Sequence, residues 1–157
     1  MKRGRKVIQS NAIIVFDSDV LSSELKSFPK DFKGDIFIIG SLIYDESIVI
    51  ECDNLFVMNE ISDYECESII INGNVYSKDI DCFSINVNGS VYSSGNLNCV
   101  EINVAEDLHV KGNVNAHKND INIGGEFICE GSVIADDVFV LKRINTGPIK
   151  ANSICVG

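Results

Sequence analysis

The sequence predicts an all-β fold: a single-stranded parallel β-helix of triangular cross-section, with about seven coils and an N-terminal capping segment. Three observations predict it. An aliphatic-x-aliphatic triplet recurs once every 16 or 17 residues on average. Two further apolar beats follow each triplet at steady offsets, and residues that favour turns separate the beats. Short period-two runs are half-buried strands, and strands this short are stable only when stacked copies bury one continuous core.

In chain order, residues 1–33 form a basic tail and a cap, and residues 34–157 form the solenoid. Val7–Phe16 reads as a strand. Asp17 or Ser18 can start a short helix through Val20, Leu21 and Leu25, and Pro29 closes the segment.

The first beat comprises Ile36/Ile38, Leu55/Val57, Ile69/Ile71, Ile85/Val87, Ile102/Val104, Ile121/Ile123, Val138/Val140 and Ile154/Val156. Its starts are spaced by 19, 14, 16, 17, 19, 17 and 16 residues. The second beat is Leu42, Ile61, Val75, Val91, Leu108, Phe127 and Ile144. The third is large-x-small: Ile50/Cys52, Tyr64/Cys66, Ile80/Cys82, Leu97/Cys99, Val114/Ala116, Val133/Ala135 and Ile149/Ala151. Asn72–Asn74, Asn88–Ser90, Gly124–Glu126 and Asp136–Asp137 supply turn residues between the beats. A sandwich or barrel would instead show longer strands, hairpin turns and variable spacing. At roughly 4.8 Å per coil, the predicted rod is on the order of 35 Å long.

The chain carries a net charge of −10, yet Lys2, Arg3, Arg5 and Lys6 crowd into its first residues. So acidic a body repels phosphate backbones, which argues against nucleic acid as a partner. The basic tail could dock on an acidic neighbour or an anionic lipid surface, and membrane contact is expected at most there. The longest apolar run, Ala12–Phe16, is too short to span a bilayer.

Of the six cysteines, Cys52, Cys66, Cys82 and Cys99 fall in the small slot of the third beat, where later coils carry alanine. Cysteine there acts as a small hydrophobe, Cys129 fills another interior slot, and Cys155 points outward. A reducing, cytoplasmic setting fits that usage. Metal binding by the thiol column lacks a Cys-x-x-Cys pair or a nearby histidine, so neither metal nor cofactor is expected.

The middle residue of each triplet faces outward, giving a column Phe37, Phe56, Ile70, Asn86, Asn103, Asn122 and Phe139. Its asparagines can bond in a ladder. Glu51, Glu65 and Asp81 are expected to share another outward column, with Asn98 and Asn115 after them. Tyr76 and Tyr92 stack on a further face with His109 next, a strip suited to a carbohydrate or peptide or to simple cross-coil stacking. The tyrosine strip and the three carboxylates are the candidate surface for a protein partner. At the C-terminal end no cap is expected after Ile154 and Val156. These two, with Ile128, Ile134 and Phe139, are the candidate self-association interface.

Catalysis has little to stand on. His109 and His117 are the only histidines, acid pairs such as Asp79/Asp81 sit where turns are expected, and minimal coils leave no cleft. The chain is therefore expected not to be an enzyme. A hexapeptide acyltransferase would need strict six-residue steps with the small residue first.

The segments Ile71–Val75 (Ile-Asn-Gly-Asn-Val), Val87–Val91 (Val-Asn-Gly-Ser-Val), Gly112–Ala116 and Gly131–Ala135 resemble the repeats of bactofilins, polymer-forming bacterial cytoskeletal proteins. The resemblance spans about residues 36–157. It implies a right-handed triangular β-helix, polymerisation without nucleotide, and a scaffolding role. The leading expectation is thus a non-enzymatic structural protein that self-associates as a dimer or polymer. A non-catalytic adaptor using the solenoid faces, or an acyltransferase-like β-helix enzyme, are the alternatives.

Overall fold

A computed structural model describes residues 6–9, 12–26, 32–64, 68–117 and 119–157. Of the described residues 64% are strand and 3% helix, and the chain winds as a parallel β-solenoid of about seven turns. Among the described residues, no helix is long and apolar enough to cross a membrane.

Each coil contributes three faces, and stacking is in register from coil to coil. On the first face the inner residues run Ile14, Ile36, Leu55, Val75, Val91, Leu108, Phe127 and Ile144. The second face runs Val20, Leu42, Ile61, Ile80, Leu97, Val114, Val133 and Ile149. On the third, Ile50 pairs with Ile71, and Val87, Val104, Ile123, Val140 and Val156 continue the column. The Asn88 amide donates to the Ile71 carbonyl at 2.9 Å, which sets Val87 over Ile71. Nearly all of these aliphatic side chains are fully buried, so the rod has one continuous core.

The corners hold this register with polar side chains. The Asp79 carboxylate accepts from the Asn96 amide, the Asn96 side-chain oxygen from the Asn113 amide, and that of Asn113 from the Ser132 amide, at 2.8, 2.8 and 2.9 Å. Each side chain satisfies the next coil's turn, where water would otherwise have to serve. Gly73, at φ 151°, turns the corner beneath Cys52, where a Cβ would collide with the Cys52 carbonyl oxygen.

Two expectations change. The triplets Ile36/Ile38 and Leu55/Val57 do not stack on Ile69/Ile71. They belong to the first face with Val75, while Leu42 and Ile61 stack with Ile80 on the second. The 14-residue step from Leu55 to Ile69 crosses two faces and is not a coil; the full coil there is twenty residues, as Asn54 over Asn74 shows. All three faces carry the same apolar alternation, so the pattern alone leaves the phase of a long coil open.

The boundary at residue 34 also moves. Strand β2 (Ile13–Phe16) pairs in parallel with β4 (Asp35–Ile38), and β3 (Val20–Leu21) with β5 (Leu42–Tyr44). The segment read as a cap is therefore already a coil. Of the helix expected to start at Asp17 or Ser18, only Ser22–Leu25 is helical (α1), since Val20–Leu21 is strand; α1 is docked by the Ser22 hydroxyl on the Asp45 carboxylate at 3.0 Å. The covering element lies further upstream: β1 (Lys6–Gln9) runs antiparallel along the outer edge of β2.

Candidate functional site

The last coil, Arg143–Thr146, Ile149–Lys150 and Ser153–Val156, pairs with the coil before it and, among the described residues, with no strand on its other side. The equivalent amides one coil earlier, those of Val133 and Ala135, donate onward to the Pro148 and Lys150 carbonyls at 2.9 and 3.1 Å. By the same register the amides of Ile149 and Ala151 point away from the preceding coil. The inward side chains follow suit. Ile154 is 50% exposed and Val156 48%, where Val138 and Val140 above them are 0% and 2%. Ile144, Ile149 and Ala151 are only partly buried against the core, and Leu141 is 68% exposed. An edge of this kind, with unpaired backbone groups around an apolar centre, is a template for another strand.

Charge changes here too. Residues 142–157 hold Lys142, Arg143 and Lys150 and no acidic side chain, on a chain of net charge −10. Arg143 reaches back to the Glu126 carboxylate at 2.8 Å, which leaves Lys142 and Lys150 as exposed cations. Sequence reasoning singles out neither Ile144 and Ile149 nor these cations for the interface. The composition shift after Leu141 is the signal that would have found them.

Ile154 and Val156 sit together on the last strand, in register with Val138 and Val140. Ile128, Ile134 and Phe139 do not join them. They lie one coil earlier, each in the outward position of a different face, beside Asn145, Lys150 and Cys155 of the last coil. They splay radially and form no patch.

The aromatic strip is longer than the sequence suggested. Phe37, Phe56, Tyr76 and Tyr92 stack at 4.6, 4.7 and 4.9 Å between ring centroids, with planes within 13° of parallel. His109 closes the row edge-on to Tyr92 at 5.0 Å. The phase error in the first coils is what hid Phe37 and Phe56 from this row. Ring faces are spent on one another and only edges meet solvent, so the strip is not a platform for stacking a sugar. Beside it runs a shallow groove of about 500 Å³, flanked by Met58, Lys78, Lys111 and Glu130. The His109 Nε2 is buried without a hydrogen-bond partner among the described residues.

The expected acidic column is dispersed. Glu51 lies on the third face and accepts from the Asn72 side chain at 2.7 Å, whereas Asp81 stands on the second between Ser62 and Asn98. Glu65 and Cys66 lie outside the described residues. Asp81 instead neighbours Glu60 and Asp79. Partial desolvation, then repulsion from Asp81 and Asp79, raises the Glu60 pKa above the usual carboxylate range.

The asparagine ladder is present, Asn122 donating to Asn103 and Asn103 to Asn86, each at 3.0 Å. It begins after Ile70 and ends at Phe139, without Phe37 or Phe56. The thiol column shortens likewise. Cys82 and Cys99 pair directly, with sulfurs 3.0 Å apart, while Cys52 sits on another corner. The thiol contact with Cys99, then burial, raises the Cys82 pKa. His117 is exposed, at φ 46°, on the surface. Among the described residues, no group of three or more His, Cys, Asp or Glu side chains is arranged to hold a metal ion. No protein-family model, no curated protein and no solved structure matches this chain.

Proposed function

We propose that this chain is a non-enzymatic structural protein that self-associates through the ends of its solenoid, in the manner its resemblance to bactofilins implies. The observation that carries the reading is the last coil, whose inner Ile154 and Val156 are half exposed along an edge of unpaired strand. Covering them with another coil contributes about 1 kcal/mol for each side chain, beside the ladder hydrogen bonds gained. A cytoplasmic setting belongs to the same proposal, since all five described cysteines are free thiols and four of them are buried.

The test is light scattering on the full chain across a wide concentration range, with negative-stain microscopy. Mass should rise with concentration, and Ile154→Asp should suppress the rise. A monomer at every concentration would sink the proposal.

A second reading, a protein-binding adaptor, is favoured by one observation, the unpartnered His109 Nε2 beside the groove next to Tyr76 and Tyr92. In that case His109→Leu should abolish capture of a partner while leaving the oligomer unchanged.

A further inference from the structure

Two thiols at one end of the second face stand closer than packing alone requires. Cys82 and Cys99 are register partners on neighbouring parallel strands, 17 residues apart in the chain, with their sulfurs 3.0 Å from each other. Both are buried, at 7% and 0% exposure. Non-bonded core atoms settle at about 3.5–4.0 Å, so this pair lies inside ordinary contact distance. Neighbouring strands hold paired backbones about 4.8 Å apart. That falls within the window of about 4.4–6.8 Å that a disulfide spans, and the sulfurs need approach by only about 1 Å more to reach bonding distance.

The other described cysteines are placed differently. Cys52 sits at the corner beside Gly73, the Cys129 thiol donates to the Gly112 carbonyl at 3.2 Å, and Cys155 is exposed. Nor does packing call for sulfur in this slot. One residue past the register pairs Asn98–Asn115 and Asn115–Ile134, later coils place Ala116 and Ala135 there, both buried. The column closes with a methyl group, and two successive coils carry a redox-active atom instead.

We infer that Cys82 and Cys99 are a covalent modification site, which a small disulfide such as oxidised glutathione converts to an intrachain disulfide stapling two successive coils through the core. The inference does not depend on self-association. The thiolate of one cysteine attacks a sulfur of oxidised glutathione, forming a mixed disulfide and expelling one glutathione thiolate. The thiolate of the other cysteine then attacks the protein sulfur of that mixed disulfide, forming the Cys82–Cys99 bond and expelling the second glutathione. Two protein thiols are oxidised, one glutathione disulfide is reduced to two thiols, and the two protons lost by the cysteines end on those thiols. Burial sets the timing. The Cys99 contact, then burial, then the Asp63 and Asp81 carboxylates hold the Cys82 thiol protonated. A buried slot also admits no glutathione, so the first attack waits until the second face opens, and reclosure brings the sulfurs together for the second.

The experiment refolds the full reduced chain from urea into a mixture of oxidised and reduced glutathione, alkylates the remaining thiols and maps the products by mass spectrometry without reduction. Chymotrypsin is the protease, because Phe83 and Tyr92 lie between the two cysteines whereas no lysine or arginine does. The expected product joins Cys82 to Cys99 and leaves the other cysteines alkylated. Because the bond closes a loop over a separation of 17 residues, the unfolding equilibrium constant of the oxidised chain should fall on the order of a hundredfold. Cys99→Ala, which places in the slot the residue that later coils carry, should fold, form no such bond and show no oxidant-dependent shift. The inference is overturned if Cys82 and Cys99 are recovered alkylated or separately glutathionylated from folded chains. A main product that joins either of them to another cysteine, Cys66 included, overturns it too. So does an oxidised chain no more stable than the reduced one, since the bond would then strain the coils it joins.

Discussion

Tyr76 and Tyr92 lie face to face in adjacent coils, ring centroids 4.9 Å apart and planes 7° from parallel. Their backbones are in-register neighbours, so the stack follows from the solenoid repeat itself. Tyr76 is also covered on its other face by Phe56 at 4.7 Å. Truncating it removes two stacked contacts at once. Tyr76→Ala should cost about 2 kcal/mol in urea unfolding, and Tyr76→Phe almost nothing, because only ring edges and hydroxyls face water. A double-mutant cycle with Tyr92→Ala should show coupling of about 1 kcal/mol. Additive losses would mean the rings merely lie near each other.

That row also shows how far the sequence could be read. The architecture was legible because every coil from Val75 onward repeats its three beats at nearly constant spacing, and Val87, Val104 and Ile123 stack as that spacing requires. The phase of the first coils was not. Leu55/Val57 and Ile69/Ile71 carry the same alternation, and nothing in an aliphatic triplet says which face it occupies. Only the coil's length assigns it, lengthened by one residue at the bulge between Val57 and Glu60 and by more between Ile61 and Ile71. Glu51 and Asp81 were placed together by that slip. At the site, Ile154 and Val156 were legible from their phase, whereas Ile128, Ile134 and Phe139 were grouped by proximity along the chain although successive faces point in different directions. The antiparallel pairing of β1 was hidden because pairing direction is a property of the fold and leaves no mark in the alternation.

Tyr44 is fully buried, and its hydroxyl has no hydrogen-bond partner among the described residues. It is the large side chain with a polar atom in an apolar interior, and burial pushes its ionisation far above the ordinary range, with Cys52 and Cys82 adding to the effect. A buried hydroxyl without a partner carries its desolvation cost uncompensated. Tyr44→Phe removes that group and keeps the ring, so it should raise stability by about 1 kcal/mol, read as a higher urea midpoint with an unchanged slope. A loss of stability would mean that the hydroxyl is bonded in solution.

Asp45 ties the helix to the coil above it. Its carboxylate accepts from the Ser23 amide at 2.9 Å, the Ser23 hydroxyl at 2.6 Å and the Ser22 hydroxyl at 3.0 Å. Desolvation pushes its pKa up, but the Ser23 and Ser22 bonds outweigh it and hold the carboxyl below the usual range. A depressed folded-state pKa stabilises the fold above the unfolded carboxylate pKa, and that stabilisation is lost as pH falls through the depressed value. The melting temperature of Asp45→Asn should therefore lie below that of the parent at neutral pH, and the gap should close on acidification. A gap that stays constant into acid would assign the effect to packing.

The cysteines should separate by reactivity. Cys155 is exposed at the last coil, while Cys52, Cys82, Cys99 and Cys129 are buried. Burial, with Asp53, Asp35 and Glu51 nearby, pushes the Cys52 thiol up to about 12, and burial raises Cys129 as well. In Cys82 the contact with Cys99 acts with burial in the same direction. Thiolate is the reactive form, so none of these three presents it at neutral pH without unfolding. Of the five described cysteines, Cys155 alone should be modified quickly by a maleimide on the folded protein, as peptide mapping by mass spectrometry would show, and the other four should follow only at the global unfolding rate. Fast modification of Cys82 or Cys99 would mean that the second face opens locally. If self-association covers the last coil, Cys155 should also become slower as concentration rises, which links this measurement to assembly.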